Sequence, residues 1–271
     1  MTGTGDTGAD QINPPPADAW ADPWADLRRH TPARIALGRA GTSLPTAELL
    51  RFAAAHAQAR DAVHIPLDTA RLAAHLQAQA WATVSAHSRA PNRASYLRRP
   101  DWGRQLDAPS LAVLQATAST LPGPPDLLVV LGDGLSAQAV QQHGASVLAA
   151  LRAALSPDVT LAPLVIAAQA RVALADQIGA LLQARLVLIL LGERPGLSAP
   201  HSLGAYLTHA PQVGCQDAQR NCVSNIRPDG LPPQQAALRL AWLVREALRR
   251  RLTGVALKDD SSVPLLPGQA A

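Results

Sequence analysis

The sequence predicts an α/β protein in which a parallel sheet follows a smaller, mainly helical N-terminal region. After a proline-rich turn at residues 122–125, apolar segments of strand length alternate with segments of helical periodicity over short connections. This alternation is typical of parallel strands joined by crossover helices. Within it, residues 186–191 form an unbroken aliphatic run, as expected of a strand buried on both faces.

The first 26 residues are predicted to form a tail outside this fold. They combine glycine, threonine and aspartate with three consecutive prolines at residues 14–16 and two isolated tryptophans, Trp20 and Trp24. Such a segment buries too little apolar surface to offset its chain entropy. Two interpretations stay open: a disordered tail, or a peptide that docks on a partner.

Residues 27–121 are predicted to be the mainly helical region, because their helical periodicity is interrupted mainly by prolines. Residues 46–63, which follow Pro45, are expected to form one of its helices. The loop-like stretches 34–45 and 85–106 are rich in arginine. We interpret this region as a subunit interface, since guanidinium groups suit the carboxylates and aromatic rings of a partner. A solvated basic surface is the alternative.

Residues 122–271 are predicted to be the α/β domain. The sequence pattern changes at the proline-rich turn, from helical segments to alternating strand-like and helix-like segments, and this change marks the boundary. Its strands and helices are expected to alternate. The predicted strands are residues 127–131, 160–167, 186–191 and 203–208, and the predicted helices are residues 136–155, 174–184 and 233–252. The last helix is expected to end at Gly254.

Two strand exits are candidate ligand sites, because α/β proteins bind ligands beyond the carboxyl ends of parallel strands. The first exit continues as Gly-Asp-Gly at residues 132–134, where Asp133 can accept a hydrogen bond and Ser136 can cap the next helix. A plain strand-to-helix turn explains this exit equally well. The sequence here has neither the spacing of a dinucleotide fingerprint nor that of a P-loop.

The second exit, residues 192–196, places Glu193 directly after the most apolar strand. Glu193 is either a ligand-binding carboxylate or a simple partner for Arg194. A third candidate is Cys222, in a polar segment at residues 220–227 that we predict to be a loop. Cys222 has no adjacent histidine to activate it as a nucleophile, so we expect it to line a binding pocket.

Composition argues against several other classes. With 24 basic and 20 acidic residues the formal net charge is only +4, and the charges are interspersed, so no stripe tracks a phosphate backbone. Two cysteines, Cys215 and Cys222, indicate neither a zinc site nor a disulfide framework. No segment has the pattern of a secretory signal or the roughly 20 apolar residues of a membrane span. We therefore expect a cytoplasmic protein.

Several longer motifs follow one another along the chain: ARIALGRAG, YLRRPDWGRQL, DLLVVLGDGLSAQAV, ARVALADQIGALL, LVLILLGERPGL, SLGAYLTHAP and RNCVSNIRPDG. In these motifs the sequence resembles the small subunit of ethanolamine ammonia-lyase, in order from about residue 27 to residue 258. The chain departs from that pattern conservatively at Ala170, where a glycine is usual, and at Val223, where an isoleucine is usual.

The resemblance implies a subunit of an adenosylcobalamin-dependent lyase that converts ethanolamine to acetaldehyde and ammonia by radical chemistry. In that family the large subunit carries substrate and catalysis, and the small subunit covers the cobalamin with a Rossmann-like domain. Matched motif by motif, the cofactor-binding residues are Val172, Glu193 and Cys222. No catalytic residue and no protein ligand to cobalt is expected in this chain, which lacks the DxHxxG motif of cobalt-ligating histidines.

Three other functions stay open from the residues alone. A dinucleotide-dependent oxidoreductase would need a phosphate-binding glycine loop and an acid about 20 residues further on. A basic module for nucleic acid would need clustered cations with stacking aromatic rings. A structural partner that has lost the cobalamin site is the third. Inclusion in a bacterial microcompartment also stays open, because the N-terminal segment does not show the amphipathic helix that directs some relatives there.

Overall fold

The computed structural model describes residues 24–31 and 33–261. The predicted N-terminal tail therefore lies outside the described residues, except for its last three. By its internal contacts the chain divides into two compact units, and the division falls between His56 and Ala57. The predicted domain boundary at residue 122 stays a prediction.

The first unit contains a short 3-10 helix, Ala25–His30, and the first half of helix α1, Thr46–His64. Helix α1 begins where the sequence predicted, after Pro45, whose carbonyl accepts hydrogen bonds from the amides of Glu48 and Leu49. In this unit the guanidinium of Arg34 lies over the ring of Phe52, 5.8 Å from its centroid.

The second unit contains a six-stranded sheet and the remaining helices. The strands are β1 (Thr83–His87), β2 (Leu127–Gly132), β3 (Leu164–Ala168), β4 (Leu186–Gly192), β5 (Leu203–His209) and β6 (Arg220–Ile226). The helices are α2 (Thr69–Gln77), α3 (Arg93–Arg98), α4 (Ala108–Thr120), α5 (Ala137–Ala154), α6 (Leu174–Leu181) and α7 (Pro233–Arg250). None of the described helices is long and apolar enough to cross a bilayer.

The sheet is mixed, in the order β1-β3-β2-β4-β5-β6. Strands β1, β3, β2 and β4 are parallel, while β5 runs antiparallel to β4, and β6 antiparallel to β5. The prediction of a parallel sheet therefore holds for the first four strands only. Strand β5 reverses because a loop with no helix connects it to β4, and parallel neighbours need a longer crossover.

Two hydrophobic clusters cover the two faces of the sheet. One face carries α2, α5 and α7, whose apolar side chains pack on alternate residues of β2, β4 and β5. The other face carries α4 and α6, which pack on the intervening residues of the parallel strands. Strands β2 and β4 are buried along their whole length, as their continuous aliphatic sequences predicted.

Two strands were missed by the sequence analysis. Strand β1 lies in the region predicted to be mainly helical, yet it pairs with β3 over its whole length. Strand β6 occupies residues 220–226, which were predicted to be a loop, and only Arg220, Val223 and Ile226 are buried in it. A register shift between β5 and β6 breaks the strict alternation of buried and exposed residues that would mark a strand.

Smaller differences concern the ends of elements. Strand β3 begins at Leu164 rather than at residue 160. Helix α7 ends at Arg250, where Arg251 takes a left-handed conformation, whereas the sequence predicted that the helix would end at Gly254. Ser136 stands at the N-cap position of α5, but its hydroxyl donates to the Pro200 carbonyl at 2.9 Å instead of capping the helix.

Candidate functional site

The two strand exits singled out from the sequence contact one another. The parallel strands β2 and β4 are adjacent, so their carboxyl ends meet at the same edge, and the Leu135 amide donates to the Gly192 carbonyl at 2.9 Å. Gly134 has φ +55°, and a Cβ there would lie only 2.2 Å from that carbonyl oxygen. This close approach requires glycine at residue 134.

The carboxylate of Asp133, at the first exit, already has hydrogen-bond and ionic partners within the chain. It accepts hydrogen bonds from the amides of Gln169 and Ala170, at 2.9 and 2.8 Å, and forms an ion pair with Arg93 at 3.3 Å. Burial raises the pKa of Asp133, while these donors act in the opposite direction. The first exit is therefore a structural turn that ties the end of β2 to the loop after β3.

The loop after β3 is also held by Tyr96, a fully buried residue of α3. The Tyr96 hydroxyl donates to the Ala170 carbonyl at 2.9 Å. The guanidinium groups of Arg93 and Arg171 lie over the ring, 4.7 and 4.3 Å from its centroid. The hydrogen bond from Tyr96 and the packing of Arg171 on its ring thus fix the backbone at residues 170–171, directly before Val172.

Val172 is half-buried in the turn that precedes α6. It packs against the cluster between the sheet and helices α4 and α6, together with the half-buried Tyr206 of β5. The remaining exposed part of Val172 is an apolar surface on the helix α6 side of the sheet.

Glu193 directly follows β4, and its carboxylate is received by residues of two neighbouring segments. The Ser202 hydroxyl donates to Oε2 at 2.5 Å, and the Asn225 amide donates to Oε1 and Oε2 at 3.3 Å each. The sequence offered Arg194 as a partner, but in the described part of the chain these two groups hold the carboxylate. Oε1, with one long hydrogen bond, keeps capacity to accept another.

Cys222, an exposed residue of β6, lies opposite Tyr206 of β5, and its thiol is partly covered. Burial raises the pKa of this thiol, interaction with the Tyr206 hydroxyl lowers it, and the charge of Glu193 raises it, with a net increase. The thiol is thus neutral at physiological pH, as expected of a contact group and not of a nucleophile. Cys222 stands on an open face, whereas cavities of about 510 and 590 Å³ lie around Cys215 and Arg104.

Three further residues of this face were missed by the sequence analysis. Tyr206 interacts with both Cys222 and Glu193, and Gly204, two residues earlier on the same face of β5, leaves space for the Glu193 carboxylate. Asn225 holds that carboxylate from β6. The alternation of side chains along β5 could have placed Gly204 and Tyr206 together, but the pairing of β5 with β6 had no sequence signal.

The face around Tyr206 combines a carboxylate with spare acceptor capacity, the thiol of an exposed cysteine and a phenol ring. Val172 packs on the same hydrophobic cluster as Tyr206. Such a set suits an amphipathic ligand that offers hydrogen-bond donors beside an apolar surface. Among the described residues no group of three or more His, Cys, Asp or Glu side chains is placed to hold a metal ion. The fold and the site together define an α/β protein with an open, partly polar face beyond the carboxyl end of a central strand.

Comparison with known proteins gives the family. The family model described as "Ethanolamine ammonia-lyase light chain (EutC)" matches residues 21–258. Among curated proteins, the ethanolamine ammonia-lyase small subunit of Ralstonia nicotianae is 54% identical over 258 residues, which are 95% of this chain and 96% of the relative. The protein of the same name from Bradyrhizobium diazoefficiens is 56% identical over 242 residues, or 89% and 92% of the two chains.

A third relative, the ethanolamine ammonia-lyase small subunit of Pseudomonas syringae pv. tomato, is 53% identical over 247 residues, 91% of this chain and 86% of the relative. The chain belongs to the ethanolamine ammonia-lyase light-chain family, whose members are subunits of a lyase. The resemblance found in the sequence motifs is confirmed.

Proposed function

We propose that this chain is the small subunit of an adenosylcobalamin-dependent ethanolamine ammonia-lyase, which converts ethanolamine to acetaldehyde and ammonia. In this proposal the chain covers and holds the cofactor, and a large subunit carries the substrate site. Adenosylcobalamin supplies the radical that starts the reaction. The observation that carries the proposal is the placement of Glu193 and Cys222 around Tyr206, on one open face, in a chain of this family.

The hydrogen-bonding groups of this face suit the amide side chains of cobalamin. The corrin ring carries amide side chains, and the free acceptor capacity of Glu193 Oε1 is what an amide N–H requires. Ser202 and Asn225 hold the carboxylate in one orientation without using all of its lone pairs. A carboxylate fixed in this way can select the position of an amide donor.

The other two predicted residues supply contact surface. A neutral thiol such as Cys222 packs as a small apolar group, and the exposed part of Val172 offers a methyl surface. Neither residue is proposed as a ligand to cobalt. This face would hold the cofactor by packing and by one hydrogen-bond acceptor.

We further propose that the arginine-rich stretch at residues 85–106 contributes to the interface with the large subunit, in a hetero-oligomer. Arg89 and Arg99 lie over the ring of Trp102, 5.8 and 4.5 Å from its centroid. Both arginines are exposed, and arginine with an adjacent aromatic ring is enriched at interfaces. The cofactor then lies between two chains, each of which supplies part of its binding surface.

Substitution of Glu193 tests the proposed function. In the assembled complex, Glu193→Ala and Glu193→Gln should both weaken adenosylcobalamin binding, by about tenfold or more, because a hydrogen bond to a charged acceptor contributes roughly 1.5–3 kcal/mol. The dissociation constant is measured from the change in cofactor absorbance on titration. Glu246→Gln is the matched control, since Glu246 pairs with Arg249 and Arg250 on the far helix α7. Unchanged affinity in both Glu193 variants would remove Glu193 from the site.

A further inference from the structure

The centre of the binding face is occupied by Tyr206, a residue without a role in the sequence analysis. It pairs directly with Cys222 across the β5–β6 ladder and with Ile189 across the β4–β5 ladder. Residues that face one another across adjacent strands lie on the same side of the sheet. Tyr206 and Cys222 therefore form one continuous surface, and Tyr206 packs from below against the cluster that also contains Val172.

The neighbour of Tyr206 on the same face of β5 is Gly204, a buried residue. A Cβ at Gly204 would lie 3.0 Å from Glu193 Oε1, 3.1 Å from Glu193 Cγ and 3.3 Å from Tyr206 Cε2. Any side chain there would press on both the carboxylate and the ring. The absence of a side chain at residue 204 thus lets the Glu193 carboxylate and the Tyr206 ring pack close to one another on this face.

Electrostatic interactions link the three polar groups of this face, Tyr206, Cys222 and Glu193. Burial, Cys222 and Glu193 raise the pKa of Tyr206 to about 12, so the phenol stays protonated and can donate a hydrogen bond to the Cys222 sulfur. Tyr206 and Glu193 act on the thiol in opposite directions. The charged and titratable groups that face the thiol are thus Tyr206 from β5 and Glu193 from the end of β4.

We propose that Tyr206 is a fourth cofactor-binding residue, whose half-buried ring receives an apolar edge of the cobalamin between Glu193 and Cys222. This inference rests on the proposed function and extends it, because it names the surface on which the cofactor lies. An aromatic ring offers a large rigid contact area at low entropic cost.

The test compares three variants in the complex with the large subunit, with adenosylcobalamin as the probe. Tyr206→Leu removes the ring, Gly204→Ala displaces the Glu193 carboxylate and the ring from their close packing, and Tyr206→Phe removes only the hydroxyl. Gly123→Ala is the matched control, since a Cβ at Gly123 meets no atom within 4 Å. We expect Tyr206→Leu and Gly204→Ala to raise the dissociation constant about tenfold or more. Gly123→Ala should stay within about threefold of the unsubstituted complex, and Tyr206→Phe, which keeps the ring, should raise the dissociation constant less than Tyr206→Leu does.

A second measurement does not depend on the loaded enzyme. The rate of Cys222 alkylation, followed by peptide mass spectrometry in the cofactor-free complex, is recorded against pH. Tyr206→Phe should move the midpoint of this profile to higher pH, because the thiolate loses a hydrogen-bond donor. Glu193→Gln should move it to lower pH, because a negative charge is removed. Adenosylcobalamin should slow the alkylation of Cys222 in the unsubstituted complex.

The outcomes separate the inference from the proposed function. If Glu193→Ala weakens cofactor binding while Tyr206→Leu and Gly204→Ala leave it unchanged, Tyr206 is only a packing residue and the inference is wrong. If Tyr206→Leu fails to assemble, the Gly204→Ala affinity and the Tyr206→Phe alkylation profile decide the question. If cofactor binding does not depend on Glu193, and if the cofactor does not slow the alkylation of Cys222, the proposed function itself fails.

Discussion

At the scale of single residues, Arg220 at the start of β6 is held by several polar partners. Its guanidinium forms two hydrogen bonds with the Asp176 carboxylate, at 2.5 and 2.7 Å, and also donates to Thr208 and to the Cys215 carbonyl, at 3.0 and 2.6 Å. The side chains of Arg220 and Asp176 are only 4% and 1% exposed. This buried pair joins α6 to the edge of the sheet that carries Cys222.

Removal of one partner of this pair should be costly. Asp176→Ala leaves the Arg220 charge buried without its carboxylate, so we expect the free energy of unfolding to fall by about 3–5 kcal/mol. Asp217→Ala is the control, because Asp217 also lies near Arg220, at 3.7 Å, but is fully exposed; it should change the free energy of unfolding by less than about 1 kcal/mol. Urea unfolding of the purified subunit measures both. Equal effects of the two substitutions would contradict this account of the pair.

The candidate site shows which residues a sequence can reveal on its own. Glu193 stood out because it follows an aliphatic strand, and that position depends only on local sequence. Tyr206 and Gly204 did not stand out, because their importance arises from the groups opposite them, Cys222 and Glu193, which lie far away in sequence. Ser136 was expected to cap α5 from a local rule, and a distant carbonyl, that of Pro200, took its hydroxyl instead.

At the scale of elements, the amino ends of the central strands are joined by Asp126. Its carboxylate accepts hydrogen bonds from the Thr160 amide and hydroxyl, at 3.0 and 2.8 Å, and pairs with Arg185 at 2.6 Å. These residues precede β2, β3 and β4, so one side chain fixes the starts of three neighbouring strands. Burial raises the pKa of Asp126, but the Thr160 hydrogen bonds and Arg185 outweigh it, and the net pKa is lowered.

This lowered pKa gives a pH dependence with a defined sign. A carboxyl whose pKa is lower in the folded than in the unfolded chain contributes stability above the unfolded pKa of about 3.9 and loses it as the pH falls through the folded value. Asp126→Asn should therefore reduce the free energy of unfolding by about 1–2 kcal/mol at pH 7, and by much less below about pH 3. Urea unfolding at both pH values measures the difference.

The control for this prediction is Asp158→Asn, because Asp158 lies two residues before Thr160 and is exposed. Its effect should be small at both pH values. A constant difference between Asp126→Asn and the unsubstituted chain across the pH range would show that the Asp126 charge is not what stabilises the strand starts.

The sequence predicted most of the helices and strands whose residues are either all buried or buried at a regular spacing. Strands β2 and β4 are buried at every residue, and an aliphatic run reports that directly. Strand β6 was missed because it is an edge strand with mostly polar, exposed residues, so tertiary pairing and not composition makes it a strand. The direction of β5 also depends on pairing, which local sequence does not encode.

At the scale of the whole molecule, the parallel and the antiparallel strands of the sheet have different roles. The parallel strands form the buried centre, while the antiparallel strands β5 and β6 extend it and carry the open face with Tyr206 and Cys222. An open face of this kind gives a bulky ligand only one wall. We therefore expect weak affinity of this chain alone for the cofactor, and a partner subunit must supply the opposite wall.

Reconstitution tests the central claim, that this chain completes a cobalamin site shared with a large subunit. Adenosylcobalamin absorbance is titrated with this chain alone, with the ethanolamine ammonia-lyase large subunit alone, and with both, and acetaldehyde release from ethanolamine is then followed. We predict weak binding by either chain alone, and tight binding with turnover only when both are present. Full binding and turnover by the large subunit without this chain, or a cofactor affinity that this chain does not change, would contradict the account.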